Sequence, residues 1–438
     1  MSGQEAQQAK TPDDPGPPAR RRLGPRPLPL HLATAALTWL NSAAVLPYLR
    51  NGSRPSNTAE AAATLLRLPW RAEVKAPAEA LERDVAAVDP EAFTRAVGRE
   101  MRARLAALEI GIRNYRNHAY VRRLETPPII WRDGTTRLYD YGGRADGLPL
   151  LVVPSLINRA YIVDLAPGRS LMRFLAADGF RPFLVDWDGP GPEERGFTLS
   201  QYIAGRLSAA LDQVRHATGR APAVIGYCMG GLLAVALAQL RPRDVASLVL
   251  LATPWDFHAD RPQLSRSLAR AMAGWQPIID RVGELPVDGL QALFFALDPF
   301  QVARKFCAFG RLDPASARAA EFVALEDWLN DGVPLAAAVA AECIQGWYGD
   351  NTPANGAWRI NAQRIDPTKL KLPTLVVVPQ RDRIVPPASA EALLRAIPGA
   401  ERLSPPLGHI GMVAAAGACE AMWRPLARWL ATAKAGGL

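Results

Sequence analysis

The stretch Gly226-Tyr-Cys-Met-Gly-Gly231 follows a short apolar run at 223–225 and precedes an Ala- and Leu-rich segment that predicts a helix over 229–240. A strand, a sharp turn and a helix in this order form a nucleophile elbow, in which the central residue projects away from the backbone. Glycines two residues before and after it let the chain turn without Cβ clashes. The sequence therefore predicts that Cys228 is a nucleophile at the N-terminus of a helix.

The predicted surroundings of Cys228 favour its reactive form. The dipole and the free N–H groups of a helix N-terminus stabilise a thiolate. The N–H of Met229 is expected to bind an oxyanion, and a second donor is expected from the loop after the strand at 148–153, around residues 155–157. The alternative is that Cys228 is a small buried residue in a Gly-rich turn, because short motifs also occur without function.

Apolar runs and helical segments alternate on both sides of this motif. Runs typical of buried strands occur at 148–154, 182–187, 223–225, 245–252 and 373–378, and helices are predicted at 199–217, 229–240, 388–396 and 419–431. Alternation of strand and helix indicates a mostly parallel sheet. The predicted fold class is therefore α/β.

The alternation stops between Pro254 and Pro373, in a stretch with many Trp and Phe residues. An insertion between two strands of a sheet is typical of a cap or lid, and we place it at about 258–350. Its aromatic residues either line a dry channel or belong to ordinary core. They include Trp275, Phe294, Phe295, Phe300 and Trp328.

Two residues after the insertion complete a candidate catalytic triad with Cys228. Asp382 follows the strand at 373–378, and His409 lies in Pro406-Leu-Gly-His-Ile-Gly-Met412, before the last predicted helix. The chain order nucleophile, acid, histidine is that of α/β hydrolases. Each residue has an alternative role: Asp382 would cap the helix after Pro387, and His409 would be a buried histidine with satisfied hydrogen bonds.

The sequence before the predicted sheet has two parts. Residues 1–26 have the Pro-, Gln- and Arg-rich composition of a disordered tail. Residues 27–146 predict a helical extension, with an uncharged helix at 32–45 and charged helices within 76–121. The uncharged helix packs on the body of the protein, lies on a lipid-like surface, or serves export or membrane spanning. The catalytic domain is then predicted over 147–433.

Composition argues against several functional classes. The formal charge of +9 comes from basic residues scattered among acids, which does not predict nucleic-acid binding. The four cysteines are far apart and form no Cys-x-x-Cys pair, so we expect no disulfide framework, no metal site and a cytoplasmic location. Prolines and polar residues within 27–49 argue against a membrane span.

Several separated segments resemble the polyhydroxyalkanoate synthase family of the α/β-hydrolase superfamily, and most of all its class III catalytic subunits. The resemblance covers roughly residues 147–413. The segments that carry it are Leu151-Val-Val-Pro-Ser-Leu-Ile-Asn-Arg-Ala-Tyr-Ile-Val-Asp-Leu165, Val185-Asp-Trp-Asp-Gly-Pro190, Gly226-Tyr-Cys-Met-Gly-Gly231, Ala252-Thr-Pro-Trp-Asp-Phe257, Asp382 and Gly408-His-Ile-Gly411. The resemblance implies an α/β-hydrolase fold with a mostly parallel sheet, an inserted cap and an N-terminal helical extension.

The resemblance also implies an activity. The protein would be an acyltransferase that polymerises (R)-3-hydroxyacyl-CoA, releasing CoA through an acyl-enzyme on Cys228 of the Cys228, Asp382 and His409 triad. It would need no cofactor, since the CoA thioester is the substrate. The implied partners are the polyester granule surface and a second copy of the chain in a homodimer. The resemblance leaves open a third partner, a small helical subunit.

Two departures from the family pattern leave alternatives open. Arg383 stands where these synthases typically have His, and a basic N-terminal extension precedes the part that resembles the family. The first alternative is a Cys-dependent hydrolase, either a thioesterase or a polyester depolymerase, because fold does not fix function. The second is a non-catalytic protein associated with the granule surface.

Overall fold

The computed structural model describes residues 22–51, 80, 84 and 88–435, so most of the expected tail, residues 1–21, lies outside the described part. The eight strands of the central sheet are β1 (Ile129–Asp133), β2 (Thr136–Asp140), β3 (Pro149–Val153), β4 (Arg181–Asp186), β5 (Ala223–Tyr227), β6 (Ser247–Leu251), β7 (Thr374–Val377) and β8 (Glu401–Leu403). Their order across the sheet is β1-β2-β4-β3-β5-β6-β7-β8.

Strands β3 to β8 run parallel to one another, which confirms the predicted fold class. Every residue of β3, β5, β6 and β7 is buried, because helices cover both faces of the sheet. This two-sided burial explains why these strands are continuous apolar runs in the sequence. Since parallel strands share one carboxyl edge, the loops after β3, β5 and β7 meet on the same side of the sheet.

The helices are α1 (Leu28–Asn51), α2 (Pro90–Arg116), α3 (Leu171–Ala177), α4 (Ser208–Thr218), α5 (Met229–Leu240), α6 (Pro262–Ala273), α7 (Gln276–Val282), α8 (Val287–Leu297), α9 (Gln301–Phe309), α10 (Ala317–Asn330), α11 (Ala337–Ala341), α12 (Pro387–Ala396), α13 (Gly411–Ala414) and α14 (Arg424–Ala435). π-Helical turns at Gln201–Leu207 and Cys419–Trp423 lead into α4 and α14. Another π-helix, Glu342–Gly349, follows α11. Helix α5 begins and ends where the sequence predicts it.

The expected all-helical extension at 27–146 is wrong at its C-terminal end. Strands β1 and β2 form a hairpin there, and β2 pairs antiparallel with β4, so the sheet begins at Ile129 and not after residue 147. The turn between them contains Gly134 at φ 55°. The two turn residues are Gly134 and Thr135, because Asp133 pairs with Thr136 across the hairpin. The sequence signal was the glycine directly after Asp133, between two β-rich runs, since Gly is typical of a two-residue hairpin turn.

The N-terminal helices pack on the inserted cap. Apolar side chains of α2 and of cap helices α9 and α10 form one buried cluster, in which Tyr115 and Phe306 meet edge to face at 5.6 Å. Helix α1 packs against α2 and contributes Ala35 to this cluster. Of the three interpretations of the uncharged helix, the described residues show the first, in which it packs on the body of the protein. In that part of the chain, no helix has the length and apolar character needed to cross a bilayer.

The tail boundary expected at residue 26 also needs correction. The Arg22 guanidinium contacts the Asp327 carboxylate on α10 at 2.7 and 2.9 Å, and the backbone N–H of Arg26 donates to Asn330 at 2.8 Å. Residues 22–26 therefore have fixed partners on the cap. Their arginines look like a solvated basic tail in the sequence, and only the distant partners on α10 reveal their structural role.

The cap is the chain between β6 and β7, and it contains α6 to α11. It includes the expected insertion at about 258–350 and extends beyond it at the C-terminal end, up to the start of β7 at Thr374. Two short ribbons stabilise it, one pairing Glu284–Leu285 with Leu335–Ala336 and one pairing Arg359–Ile360 with Gln363–Arg364. The cap lies over the carboxyl edge of the sheet, because its residues Phe294, Phe295 and Trp328 line the same cavity as Cys228, which follows β5.

Gly111 is the position at which α2 comes closest to the cap, because a Cβ there would lie 2.0 Å from the carbonyl oxygen of Phe306. We expect Gly111→Ala to lower the free energy of unfolding by about 1–3 kcal/mol, measured by urea denaturation. Gly98→Ala on the same helix is the matched control, since its nearest neighbour would be 3.6 Å away. The control should gain up to about 1 kcal/mol. Equal effects of the two variants would contradict close packing at Gly111.

Candidate active site

The turn between β5 and α5 holds Cys228 in a strained conformation, with φ 55° and ψ −124°. Its backbone N–H donates to the carbonyl of Leu251 at 2.8 Å, and its carbonyl accepts from Gly231 at 2.9 Å. The residue is therefore tied to the neighbouring strand and to the first turn of the helix. A non-glycine residue at positive φ is uncommon and marks a constrained site.

The glycines around Cys228 are required by close contacts. A Cβ at Gly226 would lie 2.4 Å from the Cα of Gly231, and a Cβ at Gly230 would lie 2.1 Å from the carbonyl oxygen of Val153. At Gly231 a Cβ would lie 1.8 Å from Oγ1 of Thr253. The helix start can approach β3 and the end of β6 only because these positions lack side chains. The predicted strand, turn and helix around Cys228 are what the structure contains.

Asp382 and His409 lie together beside this turn. Nδ1 of His409 is 2.7 Å from Oδ2 of Asp382, and both side chains are buried. The other oxygen of Asp382 accepts from the backbone N–H groups of Ile384 and Val385 at 2.8 and 2.9 Å. Asp382 does not cap α12, whose N-cap is Pro386 without a side-chain hydrogen bond. The helix-capping alternative for Asp382 is therefore wrong.

His409 also makes a hydrogen bond with Cys228. Since Nδ1 is bonded to the carboxylate, the ring presents Nε2 to the sulfur. Burial lowers the pKa of His409, but the thiolate of Cys228 and the hydrogen bonds to Asp382 and Cys228 outweigh burial and leave the pKa raised. The imidazole thus keeps its proton to higher pH than an ordinary histidine.

The expected oxyanion donors lie at the edge where α5 starts. Met229 is the first residue of α5, and the loop after β3 runs alongside it, because Gly230 lies against the carbonyl groups of Val153 and Pro154. The N–H of Ile157 donates to Oγ of Ser155 at 3.1 Å, so this candidate for the second oxyanion donor already has a hydrogen-bond partner. Binding of an oxyanion by the N–H of Met229 and by another N–H of residues 155–157 stays a prediction.

A cavity of about 290 Å³ opens in front of Cys228 and His409. Of the aromatic residues singled out in the sequence, Phe294, Phe295 and Trp328 line it, while Trp275 and Phe300 do not. Most of the wall is apolar. The N-terminal segment contributes Arg26 and His31 to it, and sequence reasoning missed both because nothing in the sequence links residues 26 and 31 to the elbow.

A wider groove of about 1550 Å³ adjoins the cavity at Asp298, Arg383 and Ile384. Arg383, the departure from the family pattern, lies at this junction with its side chain 83% exposed and 3.7 Å from the carboxylate of Asp298. The other arginines that line the groove are Arg261, Arg304 and Arg381. The groove is also lined by four aspartates, Asp256, Asp260, Asp298 and Asp382, and Asp260 and Asp298 pair with three of the arginines. Across the chain that the model describes, no group of three or more His, Cys, Asp or Glu side chains is placed to hold a metal ion.

Residues 149–415 match the protein-family model described as alpha/beta hydrolase fold. The chain is therefore a member of this fold class, with an inserted cap and with Cys228 in the turn between β5 and α5. Solved structures similar to this chain include an esterase from Thermogutta terrifontis, 19% identical over 72% of this chain and 99% of that one with a TM-score of 0.45. Another is an enol-lactonase from Burkholderia xenovorans LB400, 18% identical over 69% of this chain and 100% of that one with a TM-score of 0.43.

Curated relatives identify a family within the alpha/beta hydrolase fold class. The poly(3-hydroxyalkanoate) polymerase subunit PhaC of Allochromatium vinosum is 30% identical over 251 residues, which is 57% of this chain and 70% of that protein. The subunit of the same name from Haloferax mediterranei is 28% identical over 60% of this chain and 54% of its own length. The chain thus spans little more than half of the latter relative. It belongs to the poly(3-hydroxyalkanoate) polymerase, or polyhydroxyalkanoate synthase, family.

Asp382→Asn is expected to slow alkylation of Cys228 by iodoacetamide at pH 7 by roughly tenfold or more. Removing the carboxylate removes a cause of the raised His409 pKa, so the imidazole loses its proton at lower pH and stabilises less thiolate. Peptide mass spectrometry measures the modification of Cys228 separately from that of the other cysteines. Asp298→Asn at the cavity mouth is the control. Equal rates in wild type and Asp382→Asn would contradict the coupling.

Proposed function

We propose that this chain polymerises (R)-3-hydroxyacyl units from CoA thioesters, with Cys228 as the nucleophile that carries the growing acyl chain. The observation that carries the proposal is the hydrogen-bonded series of Cys228, His409 and Asp382 at the floor of an apolar cavity, in a chain of the polymerase family. The three residues are the nucleophile, the base and the orienting acid of the proposed reaction.

In the first step, the thiolate of Cys228 attacks the thioester carbonyl carbon, and a tetrahedral oxyanion forms. The N–H of Met229 and a donor from 155–157 stabilise this oxyanion. Collapse of the intermediate breaks the bond to the sulfur of CoA, and the His409 imidazolium supplies the proton with which CoA leaves. The products are CoA and an acyl group bound to Cys228 as a thioester. Since one thioester replaces another, the step is nearly balanced in free energy.

In the second step, the 3-hydroxyl of another unit attacks the acyl group on Cys228. His409 takes the proton of the hydroxyl, Asp382 stabilises the resulting imidazolium, and the Cys228 thiolate leaves. The new bond is an ester, so each cycle lengthens the chain by one unit. The hydroxyl must attack the acyl group faster than water does. The apolar wall that includes Phe294, Phe295 and Trp328 would keep water out of the cavity. No cofactor takes part in either step.

The arginines at the mouth of the cavity are the candidate groups for binding the CoA part of the substrate. The groove beside Arg383 is lined by four arginines, three of which pair with Asp260 or Asp298. Guanidinium groups bind phosphate oxygens in bidentate fashion, so these side chains are placed to hold the phosphates of CoA while its thioester reaches Cys228. Arg383 would then serve the substrate from the position at which the family typically has His.

The proposed partners follow from the same function. We propose that the protein acts in the cytoplasm at a polyester granule surface, as a homodimer that a small helical subunit could assist. Co-expression with and without such a subunit, followed by polyester staining of the cells, tests the last part. Polymer that accumulates only with the subunit would show that the N-terminal helices do not replace it.

Purified protein incubated with (R)-3-hydroxybutyryl-CoA is expected to release CoA and form insoluble polyester. Cys228→Ala should lower the rate of CoA release by about 10³-fold or more, because it removes the nucleophile. CoA is measured with a thiol reagent, and the acyl product by chromatography after separation of soluble from insoluble material. Cys307→Ser is the matched control, since this cysteine lies on the cap where it contacts α2 and does not line the cavity.

The products separate the proposed function from its alternatives. Polyester that depends on Cys228 supports the polymerase. Free 3-hydroxybutyrate alone, also dependent on Cys228, would replace the polymerase with a Cys-dependent thioesterase, and release of acid from added polyester would identify a depolymerase. Absence of CoA release from folded wild-type protein would contradict catalysis and favour a non-catalytic granule protein.

A further inference from the structure

His31 is a buried histidine of the N-terminal segment that lines the cavity in front of Cys228, with 7% of the residue exposed. Its Nε2 lies 3.0 Å from the carbonyl oxygen of Arg26. Since a carbonyl oxygen only accepts, Nε2 carries the ring proton and Nδ1 presents a lone pair. Among the described residues, this buried Nδ1 has no hydrogen-bond partner.

The His31 ring is neutral at physiological pH. Burial lowers its pKa, the hydrogen bond to Arg26 raises it, and the positive charge of Lys305 lowers it, with a net decrease. The ring packs edge to face on Phe295 at 5.4 Å, which fixes its orientation. A neutral imidazole with a free Nδ1 is a hydrogen-bond acceptor and cannot act there as a donor.

The residues before His31 hold it in the cavity wall. We call residues 22–31 the N-terminal latch. Arg22 binds Asp327 and donates to the carbonyl oxygen of His118 at 2.6 Å, and Arg26 binds Asp288 at 2.9 Å. The carbonyl oxygen of Leu23 accepts from Arg116 at 2.7 Å. These bonds connect the latch to the cap and to α2, so the position of His31 is fixed by several independent contacts.

The polar atoms of the cavity wall indicate what kind of ligand fits. Oδ1 of Asn158 is a second buried acceptor that lacks a partner within the described chain. Lys305 and Glu326 also line the cavity, but they pair with each other at 2.7 Å. An unpartnered buried acceptor is less stable than a hydrogen-bonded one, because nothing compensates its loss of hydration. A bound group that donates a hydrogen bond would therefore gain more here than one that only accepts.

The proposed substrate offers one such group in its acyl part. Thioester and ester oxygens accept hydrogen bonds and cannot donate, whereas the 3-hydroxyl of a hydroxyacyl unit donates. The donors of the pantetheine arm are present in every acyl-CoA. They would not distinguish a hydroxyacyl thioester from an unsubstituted one.

We propose that His31 is a specificity-determining residue, whose Nδ1 accepts a hydrogen bond from the hydroxyl of a hydroxyacyl unit bound in the cavity. The residue lies outside the region 149–415 that matches the hydrolase family model, so it would be a contribution of the N-terminal latch to substrate selection. The proposal rests on the proposed function, because it assumes that the cavity binds acyl-CoA thioesters.

The test measures binding in full-length Cys228→Ala protein, in which no acyl transfer to the sulfur can occur. Calorimetry gives the Kd for (R)-3-hydroxybutyryl-CoA and for butyryl-CoA, which differ only in the hydroxyl. We expect about fivefold tighter binding of the hydroxylated ligand. Adding His31→Phe, which keeps a ring and removes the acceptor, should bring the ratio of the two Kd values close to 1. Adding His31→Gln, whose amide oxygen can accept, should restore part of the ratio.

His118→Phe is the matched control for loss of a histidine from the N-terminal part of the chain. His118 lies outside the cavity, and both of its ring nitrogens have partners, the N–H of Tyr120 and the carbonyl of Pro314. The ratio should be unchanged in this control. Thermal unfolding of each variant checks that it folds, and His31→Leu, which also lacks an acceptor, provides the test if His31→Phe does not fold.

The outcomes separate this inference from the proposed function. A preference for the hydroxylated ligand that persists without an acceptor at position 31 would overturn the role of His31, even if wild-type protein makes polyester. Equal weakening of both ligands would assign His31 to the CoA arm and would also overturn the proposal. Binding of neither ligand would overturn it too, and CoA release by wild type, measured in parallel, would show whether the proposed function fails with it.

Discussion

A φ of 55° at Cys228 costs about 1–3 kcal/mol relative to relaxed backbone, and the surrounding sheet holds the residue there. The carbonyl of Leu251 on β6 and the N–H of Gly231 on α5 bind its two sides. The helix can stand this close to β3 and β6 because Gly230 and Gly231 leave no room for a Cβ. The position of the sulfur thus follows from how three parallel strands and one helix pack.

The same sheet determines where the partners of Cys228 lie. Asp382 follows β7, two strands away from β5, and His409 follows β8 at the edge of the sheet. The carboxylate is buried but satisfied, since it binds two backbone N–H groups and His409 at the same time. A buried charge without these bonds would be costly. The pKa of His409 is raised in this arrangement, because its interactions with Cys228 and Asp382 outweigh the effect of burying the charged ring.

Local patterns were sufficient to predict the parts of the molecule that depend on neighbouring residues. Two-sided burial makes β3, β5, β6 and β7 apolar runs, and the glycines around Cys228 are required by contacts within the same short motif. The hairpin of β1 and β2 was missed although Asp133-Gly134 signalled it, because the charged segment before it was extended too far as helix. The contacts of Arg22 and Arg26 join residues more than 250 positions apart, and no periodicity or spacing predicts them.

The distant contacts of Arg22 and Arg26 affect the shape of the cavity. They have less effect on the residues at its floor. The floor comes from the turn after β5 and the loop after β8, but the wall combines the loop after β3, the cap and the N-terminal latch. Asp327 on α10 binds both Arg22 and the hydroxyl of Tyr115, so loss of the latch would leave a half-buried carboxylate with one neutral partner. Loss of Arg22 would therefore disturb the cap as well as the latch. The proposed catalytic residues and the proposed specificity residue thus belong to parts of the chain that ion pairs across the cap join. Recognition of the hydrolase domain alone describes only the part that holds the proposed catalytic residues.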